Sequence, residues 1–386
     1  MQPKDFILDK ITIAKIKYKA FQNELVYCGF MAIFFKNGWG EEEKLNRIKP
    51  KEGENKMRLN TLITALMIIG LTLTGFPAVS QAARVFDLGD PIGGPPGEAP
   101  LRVALEFFSA EVPKRTQGEI VINYHPQTIV TNETKAVEMC KVGALAFAGI
   151  GGGTGTIFPN TQPLMLPYLI RDYGHYYRVV RGPIGKKMEA EIEKKHNLKV
   201  IIWTEFGFRQ FANTKRPINT IDDFKGLKLR VMPSPPLADM VNALGASAVP
   251  ISWAEAIPAV QQGVVDGLDL PVANLISMKI YEICKYAAMS NHYFGPTAVV
   301  ANLNVWKSLT KQQQDTILQI GMEAGDKNRA MMEKMDADGK AQLEKRGMQV
   351  TTPNLAPFKE AAKAKVYPKY YATFGKEIIQ SIMDFK

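Results

Sequence analysis

Two hydrophobic periods alternate along residues 85–148. Short apolar runs, which are typical of strands, lie at 85–88, 120–124 and 145–148. Between them, residues 101–115 and 133–142 carry apolar side chains at the spacing of a helix. Strands that alternate with helices are typical of a mixed or parallel sheet covered by helices. The sequence therefore predicts an α/β fold.

A second α/β unit is predicted to begin near residue 207. Residues 227–231 alternate as a strand with one buried face does, and two helices are predicted at 235–244 and 254–263. The segment 174–195 has one continuous helical pattern. A chain of 386 residues is longer than a single ordinary core requires, so two domains are expected.

Residues 57–82 have the three parts of a secretory signal. A basic start precedes an apolar run from Leu62 to Phe76, and Ser80-Gln81-Ala82 supplies small residues for a peptidase. The alternative is a transmembrane anchor, but the run is shorter than the ~20 residues that a span needs. We expect export to the periplasm, with cleavage near Ala82. A signal should begin the chain, so residues 1–56 are interpreted as a non-native upstream extension, with Met57 as the true start.

The composition argues against several classes of function. The net charge is +10, but the bases are scattered, whereas nucleic-acid binding usually needs a patch or stripe. No two histidines have metal-ligand spacing, and no Gly-x-Ser-x-Gly elbow occurs. No Cys-x-x-Cys pair occurs either. Cys140 and Cys284 remain after processing; a disulfide is possible, and two buried free thiols are the preferred interpretation.

Two local features need a choice between interpretations. The run from Gly149 to Gly155 is rich in glycine but lacks the lysine of a phosphate-binding loop, so it is interpreted as a flexible connection near a cleft. Arg230 ends a predicted strand, where its fork could bind a carboxylate through two charge-assisted hydrogen bonds. The alternative for Arg230 is a structural ion pair.

The order of motifs along residues 206–296 is distinctive. It includes Gly207-Phe208-Arg209-Gln210, Asn213, Arg216-Pro217-Ile218, Asp222-Asp223-Phe224-Lys225-Gly226-Leu227-Lys228-Leu229-Arg230-Val231, Gln261-Gln262-Gly263-Val264-Val265-Asp266-Gly267 and Ser290-Asn291-His292. In this order the motifs closely resemble those of the DctP-type TRAP transporter solute-binding proteins. The resemblance covers essentially all of residues 84–386.

The resemblance implies a periplasmic binding protein type II-like fold, in which two α/β domains enclose a ligand cleft at a hinge. The expected domain boundaries are 83–206 with 297–335, and 207–296 with 336–386. It implies a non-enzymatic protein that captures a small organic acid and delivers it to the small and large membrane subunits of the transporter. Arg230 would form the salt bridge to the carboxylate, and Arg209 would line the cleft.

The complete set of predicted binding residues is Arg230, Arg209, Asp269, Leu270, Trp253 and Asn213. Leu270 stands where the family commonly has asparagine, and Ile257 stands where it has tyrosine. These changes predict a more apolar pocket and a monocarboxylate ligand with an apolar or aromatic body. Asp269 keeps an acid where some members contact ligand or metal, so a bridging metal is possible, although no cofactor is expected.

Two other functions stay open at this point. An exported α/β hydrolase or lyase would need an acid–base pair, for which only Asp269 and Glu255 are candidates. A periplasmic sensor module would use the same capture chemistry with a different partner.

Overall fold

The computed structural model describes residues 82–386. The predicted upstream extension, and the predicted signal segment up to Gln81, lie outside the described residues.

One mixed sheet of nine strands runs through the described chain, in the order β2-β1-β3-β8-β4-β7-β5-β6, with β9 beside β8. Strands β1 to β9 are Arg84–Asp90, Ile120–Pro126, Phe147–Ile150, Leu198–Asn213, Lys228–Val231, Ser247–Pro250, Gly267–Pro271, Tyr286–Asn302 and Gln349–Thr351. Strands β1, β2 and β3 are mutually parallel, as are β5, β6 and β7. The predicted α/β class is therefore confirmed.

Helices fill the connections between the strands. Helices α1 to α13 are Pro100–Arg115, Glu133–Lys141, Thr154–Ile157, Tyr173–Arg181, Pro183–His196, Pro235–Ala243, Trp253–Gln261, Val272–Ser277, Leu303–Lys307, Lys311–Lys345, Ala356–Ala361, Tyr367–Phe374 and Lys376–Asp384. Short 3₁₀ turns occur at Pro159–Met165, Ile221–Phe224 and Ile280–Glu282, and a π-helical turn at Ala362–Val366.

Two long strands link the two parallel groups. The last residues of β8 pair with β3, while the last residues of β4 pair with β7. Between these ends β4 and β8 pair with each other, and their register shifts between Glu205 and Phe208. The β1–β3 group and the β5–β7 group thus lie at opposite ends of the sheet, joined by crossing strands. The two-domain binding-protein fold fits this topology, while the predicted domain boundaries stay a prediction.

Helix α10 is 35 residues long and packs on the crossing strands. Its start is fixed by a capping box at Thr310, whose side chain accepts from the Gln313 amide. Glycine lets the helix approach β4 closely, because a Cβ at Gly321 would lie 2.8 Å from the Ile201 carbonyl oxygen. Towards its other end, Gly339 contacts Val272 of α8. One helix thus contacts elements of both parallel groups.

The structure corrects several predicted boundaries. The helix predicted over 174–195 is two helices, α4 and α5, because Gly182 adopts extended backbone and Pro183 starts a new helix. The glycine-rich connection is also shorter than predicted. Gly149 belongs to β3 and pairs with Val299, and α3 begins at Thr154.

The prediction that the strand at 227–231 has one buried face was also wrong. Leu229, Arg230 and Val231 are all buried, so both faces of β5 are covered. Strands covered on both faces lose the alternation that sequence patterns detect. The burial of Arg230 is consequently a property of its place in the sheet.

The two cysteines lie in separate hydrophobic clusters. Cys140 packs in the cluster that includes Phe158, and Cys284 in the one that includes Leu268. Both are buried free thiols, and burial raises the pKa of each to about 12. The preferred interpretation of two free thiols is therefore confirmed.

Candidate functional site

Arg230 sits near the carboxyl end of β5, with 2% of its surface exposed. Its Nε donates a hydrogen bond to the carbonyl oxygen of Ile251, 3.0 Å away, which fixes the orientation of the guanidinium. The Trp253 ring lies 5.8 Å from the guanidinium carbon, within cation–π range. The Nε edge of the guanidinium is therefore held by the protein, and within residues 82–386 its terminal nitrogens make no hydrogen bond.

The charge of Arg230 is not neutralised by an acid of its own. Among residues 82–386, no carboxylate lies within salt-bridge distance of its guanidinium. Burial first, and then the positive charge of Arg209, lower the pKa of Arg230 to about 10. The side chain is still cationic at neutral pH. A buried cation of this kind is costly unless an anion completes its coordination.

The second arginine of the site is used differently. Arg209, on β4, donates through Nε to the Asp269 carboxylate and through a terminal nitrogen to the Asp269 carbonyl oxygen. Burial alone would raise the pKa of Asp269, but the Arg209 charge holds it below its usual range. Asp269 is therefore ionised and paired, on a strand buried on both faces.

His292 completes this buried group. Its ring stacks on Phe211, with centroids 3.8 Å apart, and its Nδ1 lies 2.9 Å from the Ser290 hydroxyl. Its Nε2 faces the Asp269 carboxylate at 3.5 Å, too long for a good hydrogen bond. Burial lowers the pKa of His292, although Asp269 opposes this effect.

Several buried polar atoms near the two arginines lack a hydrogen-bond partner within residues 82–386. They are Ser234 Oγ, Asp269 Oδ1, His292 Nε2 and Tyr293 Oη. Tyr293 lies under Arg209, at 5.9 Å from ring centroid to guanidinium carbon, and Ser234 follows shortly after β5. Orphaned buried polar atoms are uncommon in folded proteins, and their clustering is typical of a binding site.

The apolar members of the predicted set lie on β7 and at the start of α7, and their binding role stays a prediction. Leu270 is buried on β7 beside Asp269. Trp253 opens α7 and is 44% exposed, so its face is available beside Arg230. Ile257, one helical turn further on, packs against the hydrophobic cluster around Leu268. Pro258 lies inside this helix.

Asn213 has a different environment from the other predicted residues. Its Oδ1 accepts from the backbone amides of Lys215 and Arg216, and its Nδ2 donates to the Arg216 carbonyl oxygen. These bonds stabilise the turn at the end of β4. Its binding role stays a prediction, whereas its part in the turn is visible.

The bridging metal suggested by Asp269 has little support from the donor set. In the part of the chain that is described, no three His, Cys, Asp or Glu side chains are close enough to hold a metal ion. The Asp269 carboxylate already binds Arg209 and lies close enough to interact with the charge of Arg230, and both positive charges would repel a cation. The residues present therefore do not fit a metal at this position.

Sequence reasoning did not select Tyr293 or Ser234. Tyr293 directly follows the Ser290-Asn291-His292 motif, and it belongs to the long strand β8, which no local pattern had predicted. Ser234 is separated from Arg230 by only three residues. Proximity in sequence to the recognised motifs was the one signal that could have found both.

Residues 82–386 contain no helix with the length and hydrophobicity needed to cross a membrane. The described chain has two α/β groups joined by crossing strands, and a buried arginine lies at the end of one strand. These features define the class as a two-domain solute-binding protein.

Comparison with known proteins identifies the family within this class. Residues 95–373 match bacterial extracellular solute-binding protein, family 7. A solute-binding protein of Verminephrobacter eiseniae is 30% identical over 282 residues, which cover 72% of this chain and 84% of that protein. The chain belongs to this family, whose members are extracytoplasmic substrate-binding proteins of transporters and not enzymes.

Solved structures agree with this assignment. A TRAP periplasmic solute-binding protein of Polaromonas sp. JS666, bound to D-erythronate, is 29% identical with a TM-score of 0.72, covering 78% of this chain and 99% of that one. One from Bordetella bronchispeptica, with density assigned to pantoate, is 27% identical with the same TM-score and the same coverage. The predicted type II-like binding-protein fold is confirmed.

Proposed function

We propose that this protein captures a small organic acid in the cleft between its two parallel strand groups and delivers it to the membrane subunits of a TRAP transporter. The observation that carries the proposal is the Arg230 guanidinium, which is buried, cationic and without an acidic partner in residues 82–386. A ligand carboxylate would accept two parallel hydrogen bonds from its terminal nitrogens.

The neighbouring Arg209 is a less suitable anchor for the ligand carboxylate than Arg230. Because Asp269 already neutralises Arg209, a ligand anion would have to compete with a buried internal carboxylate there. At Arg230 the ligand supplies the charge that the protein lacks. Closure of the cleft would then exclude water and strengthen the pair, and transport needs only that the closed state bind ligand more tightly than the open one.

The walls near Arg230 favour an acid with an apolar or aromatic body. Leu270 offers no polar atom where the family commonly supplies an amide, and the Trp253 face lies beside the guanidinium. Two similar proteins are described with D-erythronate and with pantoate, which share a carboxylate on a hydroxylated four-carbon chain. Pantoate, with its geminal methyl groups, is the type of body that these walls suit better.

A thermal-shift experiment tests the proposal. The purified protein would be unfolded and refolded to remove carried-over ligand, then melted with pantoate, phenylacetate, butanoate, octanoate, D-erythronate and D-glucuronate. Acid at a hundred times its dissociation constant should stabilise the protein by about 2.7 kcal/mol. Arg230→Ala should abolish the shift, whereas Arg178→Ala, at an exposed position of α4, should preserve it.

The same experiment tests the narrower proposals. No shift with any acid would contradict organic-acid capture, and equal or tighter binding of D-glucuronate than of pantoate would contradict the apolar-body proposal. Turnover of a bound acid would favour the hydrolase or lyase alternative. Binding without transport, when the protein is reconstituted with TRAP membrane subunits, would favour the sensor alternative.

Export is part of the proposed function. The signal segment at 57–82 supports translation from Met57 and cleavage near Ala82. N-terminal sequencing of protein recovered from the periplasm should give Ala83 or a close neighbour. Recovery of peptides from residues 1–56 in the exported protein would contradict this proposal.

A further inference from the structure

The glycine-rich loop after β3 touches the segment that follows β5. A Cβ built on Gly152 would lie only 2.5 Å from the Met232 methyl carbon and 3.5 Å from its sulfur. Nearby, the Thr156 hydroxyl donates to the Pro233 carbonyl oxygen at 3.4 Å. The bare backbone of the loop therefore lies against a methionine that is two residues beyond Arg230.

This contact joins the two parallel strand groups directly. In the sheet, β8, β4 and β7 lie between β3 and β5. Neighbouring strands are about 4.8 Å apart, so β3 and β5 would be roughly 19 Å apart in a flat sheet. Contact between the segments beyond their ends means that the two groups converge at this point. Gly152 and Met232 thus form a wall between the two groups, two residues beyond Arg230 in the chain.

Both sides of the wall are held in place. Glu133 of α2 accepts a hydrogen bond from the Gly153 amide at 2.9 Å, and its carboxylate lies so close that a Cβ at Gly151 or Gly153 would collide with it. On the other side, Met232 precedes a proline, which favours extended backbone. Met232 is half-buried and packs against the hydrophobic cluster that includes Leu229 and Val231, the neighbours of Arg230 on β5.

We propose that Met232 determines ligand length by closing against Gly152 beside the carboxylate held on Arg230. This inference rests on the proposed function and adds a size limit to it. An acid anchored on Arg230 meets the Met232 methyl group close to its carboxylate end, so a short body fits and a long one forces the wall apart. The thioether is flexible enough to adapt to different short bodies but still occupies the space.

The test compares a smaller and a larger member of each of two acid types, fatty acids and sugar acids. Dissociation constants of butanoate and octanoate, and of D-erythronate and D-glucuronate, would be measured by calorimetry for the wild type, Met232→Ala and Met322→Ala. Met322, which is 51% exposed on α10, controls for loss of a methionine away from the wall. The wild type should bind the shorter acid more tightly in each pair that it binds. Met232→Ala should shift the ratio towards the longer acid by at least about tenfold, since one methylene in a pocket is worth 10- to 200-fold.

A second variant tests the wall from the other side. Gly152→Ala should push the Met232 side chain into the cleft and weaken even the shorter acids, without strain at a backbone that has no positive φ. Melting curves without ligand establish that each variant folds. An unchanged length ratio in Met232→Ala, or wild-type preference for the longer acids, overturns the inference and leaves the proposed function standing. A wild type that binds none of the acids overturns the proposed function itself.

Discussion

Arg209 and Asp269 satisfy each other's charge in the core, with 6% and 0% of their side chains exposed. Arg230 is as deeply buried, but within the described residues 82–386 its close partners are only the Ile251 carbonyl and the Trp253 ring. The two arginines that the sequence predicted for the site therefore have different roles. One completes an internal ion pair, and the other presents an unmatched charge that an organic acid can match.

Removal of Asp269 should be strongly destabilising. Asp269→Ala leaves Arg209 buried and unpaired, which costs about 3–5 kcal/mol of the free energy of unfolding. Asp222→Ala is a matched control, because its pair with Lys225 has side chains that are 79% and 74% exposed and should contribute little to stability. Chemical denaturation of both variants measures the difference. Equal effects would show that the Arg209–Asp269 pair is not a structural requirement.

Replacement of Arg230 by lysine should weaken binding although the charge is retained. A lysine ammonium cannot offer two parallel donors, and losing a charge-assisted hydrogen bond costs about 1.5–3 kcal/mol. Arg230→Lys should therefore raise the dissociation constant of the bound acid by about ten- to a hundredfold, measured by calorimetry. Near-native affinity would contradict the bidentate arrangement.

Glu205 is a buried carboxyl group on β4 that the binding chemistry does not use. Asn328 Nδ2 donates to its Oε1 at 2.8 Å, and the Tyr177 hydroxyl contacts its Oε2. The same hydroxyl lies 3.0 Å from the Gly325 carbonyl oxygen. Tyr177 has one proton for two acceptors, so both contacts are satisfied if Glu205 is protonated and donates. Burial likewise raises the pKa of Glu205 to about 8.

A proton held on Glu205 should make stability depend on pH. Below about 4.5 the group is protonated in both states, and between 4.5 and about 8 only the unfolded state releases the proton. The folded state then binds more protons, so Glu205 should lower the free energy of unfolding by about 1.4 kcal/mol per pH unit across this interval. Glu205→Gln, which keeps the hydrogen bonds, should become progressively more stable than the wild type as pH rises. Parallel pH profiles from denaturant unfolding would contradict a protonated Glu205.

The local hydrophobic pattern of the sequence was enough to predict helices and strands that bury one face. The period of 101–115 predicted α1 to within a residue, and the apolar run at 85–88 located β1. The local pattern failed to predict elements whose burial is set by tertiary structure. Residues 286–302 form the longest of the described strands, yet their burial on both faces removes the alternation that a strand pattern needs.

The site shows the same division. The order of motifs predicted Arg230 and Asp269 as site residues. Nothing in the sequence, however, distinguishes an arginine that is paired with an acid from one that is not. That difference arises from the register of β7, which lies between β4 and β5. Asp269 contacts Arg209 of β4, whereas Arg230 of β5 lies beside Leu268. The contact between Gly152 and Met232 likewise joins segments 80 residues apart in the chain, so it depends on how the sheet brings its two ends together.

A methyl group at Gly339 should disturb the contact between the long helix and the β5–β7 group. An ideal Cβ there would lie 2.1 Å from Val272 Cγ1, and Val272 directly follows β7. Overpacking of this kind costs about 1–3 kcal/mol, which outweighs the gain of up to about 1 kcal/mol from alanine in a helix. We expect Gly339→Ala to lower the free energy of unfolding and Asp338→Ala, at an exposed neighbour, to leave it nearly unchanged.

The cause of that loss can be checked with a second substitution. Val272→Ala removes the methyl groups that the new Cβ would meet, so the double variant Gly339→Ala, Val272→Ala should be more stable than the sum of the two single effects predicts. A coupling of at least about 0.5 kcal/mol, measured by denaturant unfolding, is expected for residues in direct contact. Additive effects would mean that α10 shifts as a whole to accept the methyl group, and that Gly339 is not needed for its close approach to α8.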